Sequence, residues 1–169
     1  MLGLDASHGM LAQAGRATWP TSVRFCQAVA GELDVAALGP GSHHGIMTAY
    51  LYRNVPPGAR DKAVSEVYEL LAPGGWLVVQ EYSVAGDRRA GLVWDLVCRG
   101  IIIPLGVLLD GNHDLYHYLW QSVVEFDSVT RFADRLVAAG FENVAHRTAA
   151  GWQHGILHTF VARKPREKP

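Results

Sequence analysis

Arg53 and Asn54 stand side by side directly after Gly45–Tyr50, a short apolar run with the length of a buried strand. In open α/β sheets, ligands bind outside the carboxyl ends of the strands, so residues at those ends are where chemistry is expected. Arginine there offers a permanently charged, planar fork of donors, and asparagine adds an amide that both donates and accepts. Together they offer fixed donors to a ligand at a strand end, or belong to a loop that hydrogen-bonds itself. Asp5 ends the stub Leu2-Gly-Leu-Asp5. A carboxylate at that place can accept both hydroxyls of a ribose, or it can be an acid favoured at the start of the next helix. Glu81 ends a third apolar run, as an acid facing the same edge or as the partner of a nearby arginine. His113 and His117 are four apart, a spacing metal sites use, but no third ligand accompanies them and no metal is expected.

The elements that must position these residues alternate between strand-like and helix-like patterns, which argues for an α/β domain with a mainly parallel sheet. The pattern predicts a helix over Ala6–Arg16 with Ser7 as N-cap, a strand over Ser22–Gln27 and a turn over Gly39–Ser42. An amphipathic helix follows over Ala59–Leu71, with Ala63, Val67, Leu70 and Leu71 on one stripe. Pro73-Gly-Gly75 is read as a break before a strong strand, Trp76–Tyr82. Leu92–Ser122 reads as helical but broken at Pro104, Gly106 and Gly111. Ser128–Ala139 reads as a helix closed by Gly140, and Phe141–Arg147 and Leu157–Arg163 as the last two strands. The domain is taken as 1–163, followed by a charged, solvated tail over 164–169.

Composition narrows the function classes. Of 169 residues, 49% are hydrophobic and 18% charged, which excludes a disordered chain. A net charge of −1 argues against a nucleic-acid partner. Two cysteines and no secretory pattern at the start lead to the expectation of a cytoplasmic protein. The apolar stretch Leu92–Leu109 is interrupted by Asp95, Arg99 and Pro104 and is not expected to span a bilayer. Its part Gly100–Leu109 must be buried, folded over a greasy ligand, or set against a lipid surface, so peripheral membrane contact is one expectation.

These residues also carry a resemblance. The chain is similar to class I S-adenosylmethionine-dependent methyltransferases, and most closely resembles the ubiquinone/menaquinone biosynthesis C-methyltransferase family. Gly3-Leu-Asp-Ala-Ser-His-Gly-Met-Leu11 looks like the family's acidic strand end and helix start. Tyr52-Arg-Asn-Val55, Leu71-Ala-Pro-Gly-Gly-Trp-Leu-Val-Val-Gln-Glu-Tyr-Ser83, Tyr116-His-Tyr-Leu119 with Gln121-Ser122, and Ala139-Gly-Phe141 follow in the family's order. The resemblance implies a Rossmann-like fold, S-adenosylmethionine as cofactor, and C-methylation of the ring of a demethylated, prenylated quinol. It places Asp5 at the ribose, with Ala6 also on the cofactor, Met10, Val29 and Ala30 beside the adenine, and Ala49 and Tyr50 under the sulfonium. Arg53 would stabilise the phenolate, Asn54 would orient the ring oxygen, Tyr116 and Tyr118 would line the ring pocket, and Leu92–Leu109 would cover the prenyl chain.

The departures lie on the cofactor side. The family has an earlier strand and a Gly-rich turn, whereas Met1 falls at the end of the family's second strand. Gln27-Ala-Val-Ala30 has Val29 where the family has an acid or amide, and His43-His44 replace a Phe-Asp pair. Weak cofactor binding is therefore expected. The readings left open are a piece of an active enzyme, an inactive remnant without cofactor binding, and a methyltransferase for another small lipid or phenol.

Overall fold

In a computed structural model, residues 1–166 are described. Strand β1 (Leu2–Asp5) leads into helix α1 (His8–Ala14). Ser7 caps that helix by accepting the Met10 N–H at 3.3 Å, as its residue type predicts. β2 (Arg24–Gln27) pairs with β1 in parallel, and α2 (Val35–Leu38) follows. β3 (His43–Ala49), α3 (Arg60–Leu70) and β4 (Leu71–Tyr82) form the next unit, with β3 and β4 parallel. After the helical segments come α7 (Val129–Ala138), β5 (Glu142–Thr148) and β6 (Leu157–Arg163). The strands run in two groups, β1-β2 and β3-β4-β6-β5, with no ladder joining β1 to β3 among the described residues.

β4 is the centre of the larger sheet and pairs on both sides. Its alternation puts Leu77, Val79 and Glu81 on one fully buried face. The main core packs that face against α3 and α7 through Tyr52, Val64, Leu71, Phe132, Leu136 and Phe160. The stripe expected over residues 59–71 is buried at all four positions, Ala63, Val67 and Leu70 on α3 and Leu71 as the first residue of β4. Gly140 closes α7 with φ of +101°, the left-handed conformation a helix C′ position asks for.

Three expectations need correction. β4 begins at Leu71, because Leu71 pairs with His43 and the ladder resumes at Trp76 opposite Gly45. Pro73–Gly75 thus bulge out of a continuing strand. Pro104 and Gly106 do not break the helix that follows. α4 (Arg88–Val97), a π-turn over Cys98–Ile102 and α5 (Ile103–Asp110) run on as one 23-residue helix. Within the wide turn the Ile103 N–H bonds the Cys98 carbonyl. Placing that turn just before Pro104 admits a residue with no N–H of its own. The break comes only at Gly111, before α6 (His113–Val124). Finally, Lys164 is not solvated tail. Its ammonium donates to the carbonyls of Tyr68 at 2.8 Å and Leu71 at 2.7 Å. Residues 167–169 of the expected tail lie outside the described residues.

Candidate active site

Immediately after β3 the chain turns sharply. Tyr50 takes a φ of +56°, a conformation few non-glycine residues adopt. Its backbone is fixed from both sides: its N–H donates to the Gln80 carbonyl at 2.8 Å, and its carbonyl accepts from Asn54 Nδ2 at 2.7 Å. Its ring stacks on Tyr82, with centroids 5.1 Å apart, and Tyr82 stacks in turn on Trp94 at 5.4 Å. Strain held by so many contacts is the usual mark of a functional turn.

The turn leads into a 3-10 segment, Tyr52–Asn54. Here Arg53 and Asn54 face α6. Arg53 donates to the Ser122 hydroxyl at 2.5 Å, and the Tyr118 hydroxyl donates to Asn54 Oδ1 at 3.0 Å. Arg53, Asn54, Leu115, Tyr116, Tyr118 and Leu119 line one cavity of about 380 Å³. The structure thus gathers all four residues named for phenolate, ring oxygen and ring pocket. The Tyr116 hydroxyl, however, donates to Asp110 Oδ2 at 2.8 Å, which pushes the phenol pKa up, so this tyrosine offers the cavity its ring. The ring fits because residue 106 is glycine: a Cβ there would lie 2.3 Å from it.

Beneath the turn, Glu81 accepts the Tyr52 N–H at 2.6 Å and faces Arg53 Nε at 3.9 Å. It is fully buried. Burial pushes its pKa up to about 7, opposed by the hydrogen bond from Tyr52 and the charge of Arg53. The reading of Glu81 as the partner of a nearby arginine matches this placement.

Of the residues named for the cofactor, Tyr50 adjoins the cavity, its carbonyl held by Asn54; Asp5 and Ala49 end β1 and β3, Ala6, Val29 and Ala30 follow β1 and β2, and Met10 lies on α1. Asp5 Oδ1 accepts the Ser7 N–H at 2.7 Å, and Ala6 gives its carbonyl to Gln27 Nε2 at 3.0 Å. Met10 is 60% exposed and Val29 45% exposed, so both present apolar surface. Ala30 is partly buried against the main core, and Ala49 is exposed at the end of β3.

Two contributors escape the sequence reading. Glu66, buried on α3, accepts the N–H groups of Gly31 at 2.7 Å and Leu33 at 3.2 Å, tying the loop after β2 to the main core. Ser122 is one helical turn beyond Tyr118, a spacing that puts both on one face of α6 and signals a shared site.

Strand-end residues at the edge of an α/β sheet, with a largely apolar cavity beside them, fit a Rossmann-like domain. Over 98% of its length the chain matches the structure of phosphoethanolamine N-methyltransferase 2 from Haemonchus contortus, determined with phosphomonomethylethanolamine and S-adenosylhomocysteine. The TM-score is 0.68 at 15% identity, and 43% of that chain is covered. More narrowly, the chain belongs to the ubiE/COQ5 methyltransferase family, whose pattern matches residues 1–164. It is 31% identical over 148 residues to the ubiquinone/menaquinone biosynthesis C-methyltransferase UbiE of Methylobacterium nodulans, covering 88% of this chain and 58% of that protein. It is 34% identical over 143 residues to the demethylmenaquinone methyltransferase of Thermus thermophilus, covering 83% of this chain and 63% of that protein.

Proposed function

We propose that this chain takes part in S-adenosylmethionine-dependent C-methylation of a demethylated menaquinol- or ubiquinol-type ring, with the cavity between the Arg53 turn and α6 as the acceptor pocket. The observation that carries the reading is the convergence of Arg53, Asn54, Tyr116 and Tyr118 on that one cavity. Family membership and the names of the two relatives support the quinol as acceptor class.

The residues at the strand ends fit the cofactor on its ribose side. Asp5, with Oδ1 on the Ser7 N–H, leaves its second oxygen for a diol. Met10, Val29 and Ala30 supply apolar walls, and Val29 contributes no hydrogen bond to an adenine. S-adenosylmethionine supplies an activated methyl group when bound. For a ring carbon to accept it, a ring hydroxyl must give up its proton. Arg53 stabilises the resulting oxyanion, Asn54 fixes the oxygen, and the rings of Tyr116 and Tyr118 hold the acceptor's plane, with Leu115 and Leu119 beside them. The binding claim is tested by titrating menadione, a naphthoquinone ring without a tail, and following amide resonances. Saturable shifts centred on Asn54, Leu115 and Leu119 are expected; shifts confined to other regions would sink the pocket.

The long helix supports a meeting with a prenylated acceptor at a lipid surface. Ala90, Trp94 and Cys98 are buried in a second small core. The opposite face carries Leu92, Leu96, Ile101, Leu105 and Leu108, all more than half exposed. Leu96 and Ile101 are five residues apart, yet the π-turn takes up the extra residue and keeps them together. Only 17% of the most apolar stretch is buried, so the expectation of burial in the core does not hold for this face. Ile102, by contrast, packs against the domain. The helix packs on α6 through its buried face, and its greasy opposite face is the surface that would meet the lipid carrying a prenylated acceptor. Leu108, at 81% exposure, is the position to change. Leu108→Asp is expected to lower sedimentation with anionic phospholipid vesicles at least about fivefold, the scale of burying one leucine at an interface. Its melting temperature should stay within a few degrees of the parent. Unchanged vesicle binding would remove the lipid contact from the account.

A further inference from the structure

Glu81 has two oxygens in different situations. Oε1 accepts the Tyr52 N–H at 2.6 Å, which ties β4 to the turn carrying Arg53 and Asn54. Oε2 is buried and has no hydrogen-bond partner, and Arg53 Nε is likewise buried and unpartnered. The two face each other across 3.9 Å, just beyond hydrogen-bonding distance. Such a pair is costly to leave open, and it stands one side chain away from the cavity floor. The other end of the same guanidinium reaches Ser122 on α6 at the cavity.

We propose that Glu81 is a positioning residue for the acceptor, acting through Arg53: it sets how much of the guanidinium's positive charge faces a phenolic oxyanion in the cavity. The inference rests on the acceptor-pocket reading above and deepens it.

The groups around Glu81 make Arg53 the one that governs it. On the turn these are the backbone N–H groups of Tyr52, Arg53 and Leu51 and the Arg53 guanidinium. The Tyr52 hydroxyl is buried and unpartnered, and burial with the nearby charges of Glu81 and Glu66 pushes its pKa far up, so it stays neutral. Across the sheet, His158 pairs with Glu81 in register, but its ring is bonded to the carbonyls of Ser83 and Gly155, and burial holds its pKa down. Tyr50 and Tyr82 stack beside the turn, with Arg53 lying 5.9 Å from the Tyr50 ring. On α6, Ser122 is neutral.

Burial pushes the Glu81 pKa up to about 7. Below that pH the carboxyl is neutral and Arg53 gives its whole charge to an oxyanion. Above it, the carboxylate competes for the same cation. A bound oxyanion and the Glu81 proton therefore favour each other, and loss of the proton weakens the oxyanion's hold.

The test uses the 169-residue chain and 2,4-dinitrophenolate, a coloured phenolate that stays ionised from about pH 5.5 to about pH 8.5. Its dissociation constant is measured by difference absorbance across that range for the parent, Glu81→Gln and Arg53→Met. The parent is expected to bind about three- to tenfold more weakly at the high end than at the low end, the scale of one charge competing at a partly shielded site. Glu81→Gln keeps an oxygen for the Tyr52 N–H and should bind at every pH as the parent does at low pH. Arg53→Met should abolish binding. If Arg53→Met abolishes binding while the parent's affinity does not change with pH, Glu81 has no such role and the pocket stands. If the parent does not bind the probe, or Arg53→Met binds as well as the parent, the pocket reading falls and this inference with it. Should Glu81→Gln fail to fold, the parent's own pH profile decides.

Discussion

Arg53→Lys is expected to cut methyl transfer to a demethylated quinol by about a hundredfold, the usual loss when one preorganised oxyanion donor is removed. Lysine keeps the positive charge but not the fork. In the structure one nitrogen of the fork bonds Ser122, while Nε faces Glu81 across 3.9 Å without a hydrogen bond. An ammonium can satisfy one of these partners, and it drops the other or the substrate oxygen. Cofactor affinity should fall less than turnover, because of the residues named for the cofactor Arg53 meets only the Tyr50 ring, 5.9 Å away. Initial rates at saturating cofactor, together with calorimetric titration of S-adenosylhomocysteine, separate the two effects. Turnover equal to the parent's would take Arg53 out of the chemistry.

The second large effect concerns what holds that turn in place. Asp127 follows α6 and is buried, and it is ringed by cations: Arg60 at 3.3 Å, Arg131 at 3.3 Å and Arg135 at 2.6 Å. Arg60 is also buried, and its Nε donates to the carbonyl of Val55, the residue after Asn54. Arg135 is held by Asp61 as well. The network thus pins α3, α7 and the end of the Arg53 turn together, and the Ser83 hydroxyl bonds the Asp127 carbonyl at 2.7 Å. Removing the one carboxylate leaves Arg60 buried without a counter-charge. Asp127→Asn should therefore destabilise the fold by about 3–5 kcal/mol. Urea unfolding of the two chains measures it, and a loss below about 1 kcal/mol would mean that the arginines find other partners.

The cavity proposed as the acceptor pocket was legible in the sequence only through the order of short motifs. Tyr118 and Asn54 are separated by 64 residues and meet only because α6 folds back onto the turn after β3. No periodicity carries that information, whereas the succession Tyr52-Arg-Asn-Val and Tyr116-His-Tyr-Leu does. Strand and helix positions follow from local pattern, so Ser7, Gly140 and the α3 stripe fall where their residue types predict. The long helix shows where pattern ends. It is apolar on both sides, and hydropathy alone does not separate the side that packs on Trp94 and Cys98 from the side that exposes Leu96 and Leu108. Pro104 signals a break in any α-helix; the π-turn that accommodates it is set by i, i+5 bonding that composition does not announce. Glu81 is visible as an acid at a strand end, but its unpartnered oxygen is a property of three packed elements.

The central claim is that the Arg53 cavity is the acceptor pocket of a quinol methyltransferase. It is tested most directly by incubating the 169-residue chain with saturating methyl-labelled S-adenosylmethionine and a reduced demethylmenaquinone in detergent, then extracting the quinone fraction. The account predicts label in the methylated quinone, absent with Arg53→Met. A folded chain that transfers no label at saturating cofactor, or transfers it equally well without Arg53, would contradict it.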